Sequence, residues 1–253
     1  MPALTLPLSA VLVTKDAASQ IGACLDSLAF CAEIVVVDSG SGDDTAALAR
    51  RRHAHVIESD WRGFGPQKQF AVDQAKHDWV LCIDADERVS AELRASIERA
   101  LAAPSHRAYR FARCNRFLGR YLRHGEGYPD WSLRLFDRRH ARWSDDAVHE
   151  KVLTDVAVGT LEGDLLHDSA ETLERYLAKQ DRYTTLAAEQ ALAAGKGAGM
   201  MRQLLSPLVR FVKFYLLRLG FLDGWPGLVH IAIGCRNSYR KYAKIRALHG
   251  RRT

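Results

Sequence analysis

Asp84, Asp86 and Glu87 place three carboxylates within four positions, just where the apolar run "WVLCID" (79–84) ends. Like charges this close repel, and each group's pKa rises unless a cation or hydrogen-bond donors compensate. Two kinds of chemistry fit such a knot. One is an acidic turn that caps a following helix. The other is a site for a hard divalent cation, which takes oxygen ligands and commonly keeps substrate phosphate oxygens as well. Asp84 and Asp86 flank a single residue, so a turn can aim both at one point. A cation held there bridges a diphosphate and neutralises charge as a sugar–phosphate bond breaks. That arrangement suits a nucleotide-sugar donor.

The elements around the knot favour the second reading. "LSAVLVT" (8–14), "EIVVVD" (33–38) and "WVLCID" are apolar and rich in β-branched residues, and "HVIES" is a shorter run of the same kind. Between them lie helical spacings: Ile21, Leu25 and Leu28; a helix reaching Arg52 with Asp43, Asp44 and Thr45 as candidate caps; and a helix opened by Pro66 that carries Lys68, Phe70 and Ala71. Strands alternating with helices predict an α/β fold with a parallel sheet covered on both faces. Ligands of such sheets sit beyond the strands' C-terminal ends, where Thr14, Asp38 and Asp84 fall. After residue 105 the alternation stops. "AYRFARCNRF", "WSLRLF" and "VAVGTLEGDLLH" read as strands, with Trp131, Leu133 and Leu135 expected on one face of the second. From Ala170 the pattern is helical, with Leu173, Tyr176, Leu177, Gln180 and Tyr183 on one face. The Gly-rich stretch 193–199 is a candidate boundary.

The bulk composition is that of a packed protein. The chain has 253 residues, 47% hydrophobic and 26% charged. Its five cysteines lack CxxC spacing, which argues for a reducing compartment over disulfides or a zinc knuckle. The apolar start has no preceding basic region, so no signal peptide is expected. The net charge of +6 is unevenly spread: from Lys196 onward there are 12 Lys and Arg against one acid, Asp223, whereas the first 195 residues carry 24 basic and 29 acidic residues. A basic tail on a mildly acidic body predicts an anionic partner, a membrane surface or nucleic acid.

The segments "VLVTKD", "IVVVDSGSGDDT", "KQFAVDQAKHDWVLCIDADE", "WSLRLF" and "VHEKV", in this order, resemble the inverting family 2 glycosyltransferases of the GT-A fold. They are most similar to the branch that adds a β-1,4-glucose to the inner core of lipopolysaccharide. The resemblance spans roughly residues 8–170. It implies a Rossmann-like nucleotide-sugar-binding catalytic domain over 1–170, followed by a helical, basic region over 171–253. By position it implies that Thr14, Asp38, Lys68 and Asp84 bind the nucleotide sugar, with Lys68 near the diphosphate. Asp84 and Asp86 would hold Mg²⁺ or Mn²⁺, with His167 as a further ligand. Glu150 is the implied base, Asp130 its alternative, and His149 could orient the loop. Direct displacement at an anomeric carbon needs one carboxylate to take the acceptor's proton, through an oxocarbenium-like transition state. Six arginines and no acid lie between Arg107 and Arg123. Arg120 and Arg123 could therefore face a phosphorylated acceptor, and Tyr128 and Trp131 could stack on a sugar ring.

The tail reads as a membrane-surface helix. Ser206 and Pro207 are expected as its N-cap and first residue. Arg210, Lys213 and Arg218 form one stripe, and Leu208, Val212, Tyr215, Leu216 and Leu219 fill the opposite side. From Pro207 to Leu219 the run is too short for a span of roughly 20 residues and suits the interface plane. The implied partners are a UDP-sugar donor, a lipid-linked saccharide acceptor and an anionic membrane surface on the cytoplasmic side of the cell membrane. A polyprenyl phosphate is the alternative acceptor. A metal-dependent nucleotidyltransferase would show a glycine-rich basic loop after its first strand, and "TKDAASQ" is not one. Nucleic acid is not expected, because the cations gather beside an apolar helix face rather than among aromatics on the folded body.

Overall fold

The computed structural model describes residues 6–146, 150–169, 172–195 and 199–249; His149 and the last residues of the basic tail lie outside them. The chain divides into two compact units. One comprises Met1–Cys114 with Asp130–Asp168, the other Asn115–Pro129 with Ser169–Thr253. The excursion 115–129 thus belongs with the C-terminal helices.

The first unit runs β1 (Leu6–Thr14), α1 (Ile21–Ser27), β2 (Cys31–Asp38), α2 (Thr45–Arg51), β3 (His55–Glu58), α3 (Phe64–Asp73), β4 (Trp79–Asp84), β5 (Glu87–Val89), α4 (Ala91–Ala102), β6 (Ala108–Phe117), whose last three residues fall in the other unit, then, after β7 (Arg120–Tyr121) of that unit, β8 (Asp130–Asp137), β9 (Ala141–Trp143), β10 (Val152–Thr154) and β11 (Val158–His167). The main sheet is ordered β3-β2-β1-β4-β8-β6-β11-β5. Strands β1 to β4 pair in parallel, and β8 joins β4 antiparallel. The α/β class with a helical C-terminal region is as expected. Apolar side chains alternate between the faces, as a strand's pleat requires. Leu8, Ala10, Leu12, Leu81 and Ile83 enter one core cluster, while Val11, Val35, Val37, Val80 and Cys82 enter the other. All five cysteines are free, and four are buried; burial pushes the Cys31 thiol up to about 12.

Strand β8 departs from the expected alternation. Tyr109 lies opposite Leu135 but Arg110 lies opposite Leu133, so Arg134 is an extra residue on β8. Across this bulge Leu133 packs with the second cluster and Leu135 is buried in the first. Trp131, expected on their face, is 47% exposed.

The second unit contains β7, then α5 (Leu173–Ala193), α6 (Met200–Phe211), a π-helical stretch (Val212–Leu217), a 3₁₀ turn (Gly220–Asp223) and α7 (Gly224–His249). Thr172 caps α5 by accepting the Arg175 N–H. The buried side of α5 carries Thr184 and Ala188, while Leu173 and Tyr183 are exposed. The middle of the expected face holds, with Tyr176, Leu177 and Gln180 half-buried. The helix start expected at Ser206 is corrected. Helix α6 begins at Met200, and Pro207 lies inside it. A proline there leaves the Gln203 carbonyl without its usual helical donor. Neighbouring helix α7 supplies Cys235, whose thiol donates to the Pro207 carbonyl at 3.3 Å. Among the described residues, no helix is long and apolar enough to cross a membrane.

Candidate active site

The acidic knot is not a helix cap. Helix α4 is capped by Ser90, whose hydroxyl accepts the Leu93 N–H at 3.1 Å. Asp84, Asp86 and Glu87 do something else, and each does it differently.

Asp84, at the end of β4, lies between two cations. Its Oδ1 is 3.1 Å from Lys68 Nζ and its Oδ2 accepts from Arg134 Nη2 at 3.0 Å. Burial alone would raise its pKa, but Arg134 and Lys68 hold the carboxyl well below the usual range. Glu87 is fully buried and opens β5; its Oε2 accepts the Asp84 N–H at 2.9 Å. Burial, helped by the Asp84 charge, pushes Glu87 up, against the pull of Arg134 and Arg113. Its Oε1 lies 3.6 Å from both of those arginines. Glu87 Oε1 and Arg134 Nη1 are the buried side-chain polar atoms without a hydrogen-bond partner among the described residues.

Asp86 faces the other way. Strand β5 pairs antiparallel with β11, placing His167 opposite Glu87. The Asp168 N–H then donates to the Asp86 carbonyl at 2.9 Å. This pairing brings His167 Nε2 to 3.1 Å from Asp86 Oδ2. The two residues are 81 apart in sequence, and a three-residue strand joins them.

Lys68 comes from α3. Gly65 seats that helix, its N–H donating to the Asp146 carbonyl at 3.1 Å, and a Cβ there would lie 2.1 Å from the Ser144 carbonyl oxygen. The Lys68 ammonium is almost entirely buried, 4.8 Å from the Trp143 ring centroid, and donates to Glu150 Oε1 at 3.0 Å. Lys68 thus joins Asp84 to Glu150. These residues, with Thr14, Asp16, Asp86 and His167, line one cleft of about 340 Å³ beyond the C-terminal ends of β1 and β4.

Asp38 and Asp130 do not line that cleft. Asp38 is buried and holds its own loop, accepting from Thr14 Oγ1 at 3.1 Å, the Ser41 hydroxyl at 2.5 Å and the Gly40 and Ser41 N–H groups. The "SGSGDDT" loop then latches the "TKDAAS" loop: Asp16 N–H donates to the Ser41 hydroxyl, Ala17 N–H to Thr45, and Gly42 N–H to the Asp16 carboxylate. Asp38 therefore shapes the wall from beneath. Asp130 is gripped by Arg113, through Nε at 3.0 Å and Nη2 at 2.9 Å. Of the two candidate bases, Glu150 is the one in the cleft. The residues expected at an acceptor fall in different units. Trp131 is in the first, with the Arg110 guanidinium 5.1 Å from its ring centroid. Arg120, Arg123 and Tyr128 are in the second, where Arg120 donates to the Leu222 carbonyl, the Arg123 N–H to Asp223, and the Tyr128 carbonyl accepts from Arg218.

Residues 9–154 match the model of glycosyl transferase family 2. The chain belongs to that family. Family membership makes it an enzyme of sugar transfer. A lipopolysaccharide core biosynthesis glycosyltransferase, LpsC of Rhizobium meliloti (strain 1021), is 32% identical over 94% of each chain. An uncharacterized glycosyltransferase of Rickettsia bellii (strain RML369-C) is 28% identical over 97% of this chain and 88% of its own. Among solved structures, glucosyl-3-phosphoglycerate synthase of Mycobacterium tuberculosis, determined with Mn²⁺, UDP and glucosyl-3-phosphoglycerate, is 22% identical over 43% of this chain and 44% of its own, with a TM-score of 0.37.

Two residues packed beside Asp84 were not singled out from the sequence for what they do here. Glu87 was counted with the acidic knot, but its burial beneath Asp84 gave no local sign. Arg134 looked like the polar side of a strand, and only the bulge in β8 turns its guanidinium onto Asp84. A charged residue inside the apolar "SLRLF" was the available signal, since a buried arginine needs a carboxylate partner.

Among the described residues no group of three or more His, Cys, Asp or Glu side chains gathers to hold a metal ion, but two donors meet in the cleft. Both Asp84 oxygens already face cations, whereas Asp86 and His167 converge with a carboxylate oxygen and an imidazole nitrogen. A cation such as Mn²⁺ accepts both atom types.

Proposed function

We propose that this enzyme moves a hexose, glucose from UDP-glucose, onto an inner-core heptose of lipopolysaccharide with inversion at the anomeric carbon. One observation carries the reading. The Asp86–His167 pair and the Asp84–Lys68–Glu150 chain line the same cleft, beyond the ends of parallel strands. The similarity to LpsC over 94% of each chain supports the lipopolysaccharide acceptor.

In this reading Asp86 and His167, with Asp84 two residues away, would hold Mg²⁺ or Mn²⁺, which would supply charge neutralisation to the departing diphosphate. Lys68 adds a positive charge next to those phosphates and orients Glu150. Thr14 and the latched loops after β1 and β2 form the nucleoside wall. Glu150 accepts the proton of the acceptor hydroxyl as its oxygen bonds to the anomeric carbon. The bond from that carbon to the diphosphate oxygen breaks, and its electron pair leaves with UDP. The acceptor is lipid-linked, so the enzyme works on the inner face of the cell membrane, attached to its anionic surface.

Replacing Glu150 by Gln keeps size and hydrogen bonding but removes the base. Donor binding by isothermal calorimetry stays within error, while turnover to a heptose acceptor falls about 10²–10⁴-fold. Unchanged turnover would move the base elsewhere.

A further inference from the structure

Helix α6 is built the wrong way round for a protein in water. Its protein-facing side is polar. Gln203 is buried and accepts from Arg246 at 2.7 Å, the Ser206 hydroxyl meets that of Ser238 on α7, and Arg210 forms an ion pair with Glu126. Its opposite side carries Met201, Leu204, Leu205, Leu208, Val209 and Val212, all exposed. A soluble surface helix shows the reverse arrangement. The apolar surface continues into the next turns, where Leu217 is 76% exposed and Trp225 is 70% exposed. A run of this size is not ordinary surface scatter.

We infer that this outward face of α6 and the turns after it is a docking surface for an anionic lipid bilayer, lying in the headgroup plane with its leucines in the acyl boundary. Charge selects the occupant. Arg202, Lys213 and Arg218 are exposed beside the apolar stripe, and the last 58 residues hold 12 cationic side chains and one acid. That acid, Asp223, is buried and accepts the N–H groups of Arg123 and His124. A second copy would bring the same cations face to face, whereas anionic headgroups complement them. Length sets the mode. At 1.5 Å per residue, the 12 residues of α6 cover about 18 Å, short of a crossing, so the helix lies along the interface. The inference rests on the membrane partner proposed above and is independent of the donor, the metal and the base.

The test uses the full chain and three readouts: co-sedimentation with vesicles of phosphatidylcholine alone or mixed with phosphatidylglycerol, gel filtration, and UDP-glucose hydrolysis in the absence of lipid. Wild type should sediment with the mixed vesicles only. A Leu205→Glu, Leu217→Glu double variant should lose vesicle affinity about tenfold or more, with its melting curve and hydrolysis rate unchanged, because both side chains touch solvent. A Lys213→Glu variant should weaken binding and flatten its dependence on salt. Wild type that ignores both vesicles would overturn the membrane partner itself. Wild type and the double variant sedimenting equally would overturn this face while leaving the partner standing. A wild-type dimer that the double variant dissolves, with no vesicle binding, would assign the face to a second copy.

Discussion

Arg134 is where residue-scale electrostatics decide the site. Its guanidinium is buried against Asp84 and Glu87, two carboxylates joined by a backbone hydrogen bond. Removing one partner of a buried ionic group leaves the others uncompensated, which costs about 3–5 kcal/mol, more than most single substitutions. Arg134→Met should therefore destabilise the first unit by about that amount in urea unfolding, and it should free Asp84 to turn. Adding Glu87→Gln removes one of the stranded charges and should recover part of the stability. Recovery of stability without recovery of turnover would mark Arg134 as the residue that positions Asp84. If both variants unfold like wild type, the network contributes nothing.

At this scale the sequence was informative about residue type and silent about direction. A strand-end DxD was legible because the apolar run before it and the turn after it are local features. That Asp84 is locked between Lys68 and Arg134 was not legible, and the meeting of Asp86 with His167 was implied only by the family resemblance. Both depend on a helix, a bulged strand and an antiparallel edge strand converging on one point. Asp38 shows the same limit: its place at the end of β2 was readable, but its carboxylate is spent on the loop at 39–41.

Elements set those directions. Strands β1, β2 and β4 were readable because buried parallel strands are continuous apolar runs, whereas β8, antiparallel to its neighbours, was readable as an alternating run. The short strands β5, β9 and β10 were not, since three residues carry no period. Yet β5 is what brings Asp86 to His167. In the tail, a Ser-Pro pair reads as a helix start, but α6 runs through it while packed along α7. Tertiary partners overrode the local signal. Helix α3 makes the most exacting demand on backbone approach. Gly65→Ala places a Cβ 2.1 Å from the Ser144 carbonyl oxygen, so α3 must move. A loss of about 1–3 kcal/mol is expected from such overpacking, with a fall in turnover because Lys68 rides on the same helix. A wild-type melting temperature and turnover in this variant would show that the helix has slack that the packing denies.

At the scale of the whole chain, the division of charge follows the division of labour. The acidic body carries the cleft, and the basic helical region carries an apolar outer face. Family 2 membership and the LpsC similarity place the chemistry in sugar transfer, and the proposed function adds a specific claim: that donor binding depends on a divalent cation at Asp86 and His167. The direct measurement is calorimetric titration of UDP-glucose into wild type and Asp86→Ala, each in Mn²⁺ and in chelator. Wild type should bind about 5–150-fold more tightly with Mn²⁺, and Asp86→Ala should bind equally weakly in both. Equal affinity of wild type in Mn²⁺ and in chelator would contradict the account.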